Sequence, residues 1–267
     1  MVIRGKFCNF GVMINQSYSL HALSQKTSRI EEEKLLEQRL IYGLLPEVID
    51  DPDNAETTLR NLVERKIYSE IPLQGSIRKL ENYQKLVVTL ALKTGEQITF
   101  NNLSRITGLD KITVENYLNL LELNNVIFTI PSYSTGKPYE ISQGKKLYFH
   151  DNGIRNAIVS NFVPANLRGD TEALWENLIV NERIKYNSSK SEAKKTAYWR
   201  TYTGQYVPYL ELGEGGMEGF NFCWNKQQKV KTNKSFLNAY PGTPVRTITR
   251  KNYWDFVSQI SSNLFEI

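Results

Sequence analysis

Ile98-Thr99-Phe100-Asn101-Asn102-Leu103-Ser104-Arg105-Ile106-Thr107-Gly108-Leu109-Asp110-Lys111 opens the most legible stretch of the chain. Ile98 to Phe100 suit a short strand and Asn101 to Thr107 a short helix. Gly108-Leu109-Asp110 then reads as a tight turn, and Asp110 stands where a carboxylate caps the next helix, Lys111 to Leu123. Within that helix Val114, Tyr117, Leu118 and Leu121 recur on one stripe, the spacing of a buried face. Strand-like Val126 to Ile130, a polar loop around Gly136 and strand-like Leu147-Tyr148-Phe149 follow. A helix from Glu81 to Lys93 precedes, with Leu86, Val87, Leu90 and Ala91 inward and Gly95 as its stop. Helix, short strand, helix, turn, helix and a two-stranded wing is the order of a winged helix-turn-helix, expected over residues 81–163.

Upstream, residues 1–28 read as an irregular lead whose apolar points are Phe7, Phe10, Val12 and Met13. Residues 29–80 read as a helical connector. Its first helix runs from Arg29 to Tyr42 and ends at Gly43 and Pro46; a second, Ala55 to Tyr68, follows the turn Asp50-Asp51-Pro52-Asp53-Asn54. After Pro164 the grammar changes. A helix from Thr171 to Tyr186 is followed by strands Ala197–Thr201, Tyr206–Leu212 and Gly219–Trp224, a short helix to Tyr240, strand Val245–Thr249 and a last helix from Tyr253 to Ile260. Residues 164–267 are thus expected as a small α/β domain and the whole chain as an α+β protein.

With 267 residues the chain has room for two cores and needs no metal or disulfide staple. Only Cys8 and Cys223, and only His21 and His150, are present, and none has zinc-ligand spacing. Leu86 to Leu92 is far too short to span a bilayer, and no apolar core follows the basic N-terminal residues. A cytoplasmic protein without membrane contact is expected. Charge is uneven: residues 1–182 hold 20 Lys and Arg against 22 Asp and Glu, whereas residues 183–251 hold 13 against 4. That asymmetry suits a phosphate-facing surface or a lysine-rich solvated face. No Gly-Lys pair has the spacing of a P-loop, and no dinucleotide, serine-hydrolase or zinc-protease motif is present, so no cofactor is expected.

Several motifs resemble a known family. They are Arg39-Leu40-Ile41-Tyr42-Gly43 with Pro46-Glu47-Val48, Tyr148-Phe149-His150-Asp151-Asn152-Gly153, Leu174-Trp175-Glu176-Asn177 and Tyr198-Trp199-Arg200-Thr201. Together they resemble the C-terminal region of a prokaryotic family of AAA+-type P-loop ATPases, over about residues 29–260. In that family an ATPase domain precedes a winged helix and a nuclease-like domain of unknown function. The resemblance implies that residues 1–28 are the remnant of a segment leaving an ATPase domain, mobile or docked. It also implies a PD-(D/E)XK nuclease-like fold for the C-terminal domain.

PD-(D/E)XK chemistry needs a carboxylate on one strand and Glu-x-Lys on the next, to hold magnesium and stabilise the phosphorane-like charge. The matching positions here are Pro208, Asn221 and Cys223. Proline cannot ligate, asparagine is a neutral amide, and a thiol suits a hard cation poorly. Pro208 also removes a ladder N–H, which favours an edge or a bulge. Glu176 matches the helix glutamate that completes such metal sites, but a glutamate bonded to a strand is the simpler reading. Glu211 lies three residues from Pro208, on the opposite sheet face by alternation. A degenerate site without metal is expected; migrated carboxylates in a rearranged magnesium-dependent nuclease are the rival.

Nucleic-acid contact, to DNA or RNA, has candidates in the winged helix and beyond it. Arg105, Lys111, Lys145 and Lys146 could meet phosphates, and Thr113, Asn116 and Asn119 base edges, although Asp110, Glu115 and Glu122 make this helix acidic. Lys226, Lys229, Lys231 and Lys234 form the stronger basic cluster, with Trp199, Trp224 and Tyr206 as stacking candidates or ordinary sheet packing. His150 and Asp151 are adjacent on a strand, face opposite ways and cannot form a catalytic pair; Asp151 is expected to cap a helix starting near Asn152. The sequence points to a non-catalytic protein that binds nucleic acid or a partner such as a separate ATPase domain.

Overall fold

In the computed structural model the described residues are 17–75, 77–190, 194–224 and 234–258. The end of the expected lead is not irregular. Ser19 Oγ accepts from Ala22 N and starts helix α1 (Leu20–Lys26), whose Leu20 and Leu23 are buried. This corrects the reading of residues 17–28. The physical reason is docking: Leu20 N donates to Glu182 Oε2 at 2.6 Å and Lys185 Nζ donates to Tyr18 O at 3.0 Å. A seven-residue helix has little stability in isolation and takes its order from such packing.

Helix α2 (Arg29–Tyr42) has the expected bounds and ends at Gly43 as expected; Ser28, whose side chain accepts from Glu31 N, caps its start. The short helix α3 (Pro46–Ile49) follows, and then a continuous helical run. It comprises α4 (Ala55–Leu62), a π-helical stretch (Val63–Glu70) and α5 (Ile71–Gln74). Pro72 lies within the first turn of α5, where its missing N–H is tolerated. The middle of the chain forms α6 (Leu80–Leu92), β1 (Gln97–Ile98), α7 (Phe100–Thr107), α8 (Lys111–Leu123), β2 (Ile127–Pro131) and β3 (Lys145–Phe149). Asp110 caps α8 by accepting from Thr113 N, and Gly108 turns the chain at φ +73°. These strands form an antiparallel sheet in the order β1-β3-β2.

Helix α9 (Asn152–Ile158) connects this part to the long α10 (Thr171–Ser188). A second sheet, β4 (Lys195–Arg200), β5 (Tyr206–Gly213), β6 (Gly216–Cys223) and β7 (Val245–Thr249), has its strands in that order. The first three are antiparallel, while β6 and β7 are parallel, with α11 (Lys234–Ala239) between them in the chain. Helix α12 (Tyr253–Val257) follows β7. The chain is therefore a mixed α+β protein, and no helix among its described residues is long and apolar enough to cross a membrane.

Strand alternation divides the interior. Leu147 and Phe149 of β3 join a first core with Leu59, Leu90, Leu103 and Leu118, whereas Tyr148 joins a second with Leu40, Trp175, Tyr209 and Trp254. A third, smaller core gathers Trp199, Val207, Leu210 and Phe236 on the other face of the second sheet. Residues 29–80 contribute to two of these cores: α2 packs in the second and α4 in the first. β3 thus stands between the two halves, with one face turned to each.

Candidate functional site

Three of the quoted motifs meet at one buried junction. Asp151 caps α9 by accepting from Ile154 N at 3.0 Å and also accepts from Leu44 N at 2.8 Å, just past the end of α2. Gly43 must be glycine there: it has φ +77°, and a Cβ would collide with the Asp151 carboxylate. Asn152 Nδ2 donates to Leu40 O and Leu174 O, and Asn156 Nδ2 donates to Ile41 O. Asn177 rivets α10 to β3, donating to Phe149 O and accepting from Phe149 N, each at 2.9 Å. These side chains hold backbone groups and touch no cleft. His150 is not paired with Asp151 either; it packs on Phe128 at 4.8 Å, and burial together with the Lys185 charge pulls its pKa down from 6.5 to about 4.

Riveting at Asn177 brings the preceding residue, Glu176, over the face of β3 that carries Lys146 and Tyr148. There Lys146 Nζ lies 2.6 Å from Glu176 Oε1, and Tyr148 Oη donates to the same oxygen at 2.8 Å. Lys146 and Tyr148 share a face because they are two residues apart on a strand. Lys146 Nζ also donates to Pro208 O at 3.3 Å. Burial lowers the lysine's pKa and the Glu176 charge opposes that shift. The Tyr148 phenol is held well above its ordinary range by burial and by the same carboxylate.

Around this pair lies a cleft of about 390 Å³ between the two sheets, lined by Gly95, Glu96, Gln97, Lys146, Glu176, Tyr198, Arg200, Gly204 and Tyr206. Glu96 is paired with Lys93 at 2.9 Å and Glu176 with Lys146. The sequence anticipated a strand partner for Glu176 but not this one. Lys146 reads as a wing-tip phosphate contact beside Lys145; in the structure Lys145 is exposed and Lys146 is buried. Alternation is the reason, and the correction removes Lys146 from the nucleic-acid candidates.

The three degenerate positions do not line the cleft with their side chains. Pro208 sits in a register irregularity between β4 and β5, where Ala197 faces Leu210 but Trp199 faces Val207, so the expected bulge forms on an interior strand. On β6, Phe220 and Phe222 pack in the second core, so Asn221 and Cys223 occupy the other face with Gly219. Burial and the Glu172 charge raise the Cys223 thiol's pKa, so it stays protonated at neutral pH. Among the described residues no three His, Cys, Asp or Glu side chains gather as a metal site. A proline, a half-buried amide and a neutral thiol do not fit a magnesium centre.

Glu211 is engaged elsewhere, accepting from Arg183 Nε at 2.6 Å and Arg183 Nη2 at 2.7 Å, with Asn187 and Lys194 beside it. Glu140, which the sequence did not single out, accepts from Trp199 Nε1 at 2.8 Å and Tyr240 Oη at 2.6 Å. Both indoles proposed for stacking are core: Trp199 packs on Phe236 and Trp224 on Trp175, while Tyr206 remains at the cleft rim. On the first half Arg105, Lys111, Asn116 and Asn119 are exposed, and Thr113 is engaged by Asp110 at 2.6 Å. Lys234 is exposed at the start of α11; Lys226, Lys229 and Lys231 lie outside the described residues.

Comparison with known proteins gives one match. A family model described as a domain of unknown function (DUF8612) matches residues 33–165, from within α2 to the segment before α10. It includes Lys146 and Tyr148 but stops short of Glu176, Tyr198 and Arg200. No curated protein and no solved structure matches the chain.

Proposed function

We propose that the chain is a non-catalytic binding protein, with a winged helix-turn-helix and a PD-(D/E)XK nuclease-like scaffold that grip a protein partner. The observation that carries the first half is the Lys146–Glu176 pair. The one acidic residue retained from the nuclease pattern is neutralised by a buried ammonium 2.6 Å away and by a phenol, and among the described residues no three His, Cys, Asp or Glu side chains gather as a metal site. Support for the scaffold comes from the order of elements around α8 and from the helix, three antiparallel strands, helix and parallel strand that follow.

A protein is favoured over nucleic acid by the outward face of α8. Ile112, Asn116, Asn119 and Leu123 fall on one stripe, and the two apolar ends are 72% and 79% exposed. Asp110, Glu115 and Glu122 outnumber Lys111 on this helix, which opposes phosphate contact. An ATPase domain of the kind that accompanies these motifs in the family they resemble is the partner class this reading names. A plasmid-nicking assay with Mg²⁺ or Mn²⁺, run beside a low-salt DNA titration of the wild type and Glu176→Gln, tests it. No cleavage and no DNA binding are expected. Metal-dependent nicking lost in Glu176→Gln overturns the non-catalytic reading, and salt-dependent DNA affinity overturns the choice of partner.

A further inference from the structure

The Lys146–Glu176 cleft contains more hydrogen-bond donors than its own residues satisfy. Among the described residues that line it, Arg200 is the charged one without a counter-ion: its guanidinium makes no hydrogen bond or ion pair, whereas Glu96, Lys146 and Glu176 are all paired. Tyr198 is 2% exposed, and its hydroxyl has no hydrogen-bond partner. Ser132 Oγ is near enough to affect the acidity of that phenol but is not its hydrogen-bond partner, and Ser132 Oγ is unpartnered too. The Gln97 side-chain amide also makes no hydrogen bond. All three donors line the same cleft, from β4 on one wall and β1 on the other. Tyr198 and Gln97 come together at Gly144: a Cβ there would collide with Tyr198 Oη and lie 2.8 Å from Gln97 Nε2, so only glycine lets the two side chains approach each other over the backbone.

A buried phenol without a partner is a standing cost to the fold, and native proteins retain few of them. An unpaired guanidinium beside it supplies a forked donor suited to oxyanions. We propose that this cleft binds a phosphoryl group, with Arg200, Tyr198 and Gln97 as its donors. Donors on two walls match the tetrahedral oxygens of a phosphate better than a planar carboxylate. The cleft volume exceeds one phosphate ion, and the exposed Tyr206 ring at its rim leaves room for the ester substituent of a small phosphorylated molecule. The inference rests on the non-catalytic reading only in that the ligand is held and not cut.

Isothermal titration of the full chain with inorganic phosphate, a nucleoside 5′-monophosphate, the matching nucleoside and acetate tests the site. Phosphate and the monophosphate should bind, and the nucleoside and acetate should not. Tighter binding of the monophosphate marks an ester as the ligand, and equal affinity marks free phosphate; both support the proposal. Arg200→Gln should weaken binding by 10-fold or more, and Tyr198→Phe by roughly 10-fold. Tyr198→Phe should at the same time raise the melting temperature by about 2–4 °C, because it deletes an unsatisfied buried hydroxyl. A purely structural tyrosine would not give that opposition. Absence of phosphate binding at 50 mM (about the weakest affinity worth assigning), equal binding of acetate, or unchanged affinity in both variants overturns the proposal. Nicking activity would refute the non-catalytic reading and leave these affinities intact, so the two fail separately.

Discussion

Replacing Glu176 by Gln removes the anion that holds Lys146. The lysine side chain is 5% exposed and the glutamate 14%, and the remaining partner of Nζ is Pro208 O at 3.3 Å. Breaking a buried pair from one side costs about 3–5 kcal/mol; partial access of water to Glu176 places Glu176→Gln near about 3 kcal/mol. Lys146→Met should cost less, about 2 kcal/mol, because the carboxylate keeps the Tyr148 hydroxyl and stands nearer to solvent. The double variant leaves an amide beside a thioether, with no buried charge, and should lose only about 2 kcal/mol. The cycle then gives a coupling of about 3 kcal/mol, read from urea unfolding at constant slope. A second signature is the pH dependence of Glu176→Gln. Burial depresses the lysine in the folded state, so the unfolded chain carries a proton that the native chain has shed. Stability of that variant should therefore rise with pH through the alkaline range until the unfolded lysine also deprotonates. Additive single losses, to within about 0.5 kcal/mol, would refute the pair as the element that closes the cleft.

Two further outcomes follow from other sites. His150 takes up its proton at pH 6.5 when unfolded but only near 4 when folded, so its contribution is complete above pH 6.5 and is lost as pH falls toward 4. Between pH 7.5 and pH 5 the wild type should lose about 2 kcal/mol more than His150→Gln in parallel urea titrations, and equal losses would exclude the histidine as the cause. Gly43→Ala combines a left-handed backbone at φ +77° with a methyl group driven into Asp151, which caps α9 and binds Leu44 N. A loss of about 3 kcal/mol or more is expected, seen calorimetrically as a fall of roughly 6–12 °C; a change under about 1 kcal/mol would show that the junction relaxes.

Local signals in the sequence were sufficient for most elements. An apolar face ending at Gly43 delimits α2, and Asp110 with a stripe of Val114, Leu118 and Leu121 delimits α8, because caps and periodicity act within one or two turns. Pro208 was legible as an edge or a bulge for the same reason, and a bulge on an interior strand is what forms: a missing N–H is a property of one residue. Helix α1 was overlooked although Ser19 caps it, since its order depends on Glu182 and Lys185, more than 160 residues away. The cleft was not legible at all. Two adjacent lysines, Lys145 and Lys146, look equivalent in a sequence, and only the pairing of β3 with its neighbours turns one to water and the other to Glu176. Arg200 and Tyr198 were quoted as parts of a motif, with nothing in their spacing to place them opposite Gln97.

The family-like motifs supply residues to both walls of the cleft and the amides that hold those walls in place. Asn152, Asn156 and Asn177 are buried amides, each bonded to backbone groups on a different element. Removing any one would strand carbonyls from which water is excluded, a cost that makes these positions specific in type and not merely in polarity. Their joint effect is to fix α10 against β3 and α2 at the point where Glu176 leaves the helix. A ligand-binding donor set gains affinity when its geometry is set before the ligand arrives, because no ordering cost remains at binding. The Lys146–Glu176 pair, one residue from Asn177 and on the strand that Asn177 grips, inherits that rigidity, and so does the wall of the cleft that faces Arg200 and Tyr198. The buried amides of these motifs thus brace a cleft to which the same motifs also contribute Glu176, Tyr198 and Arg200.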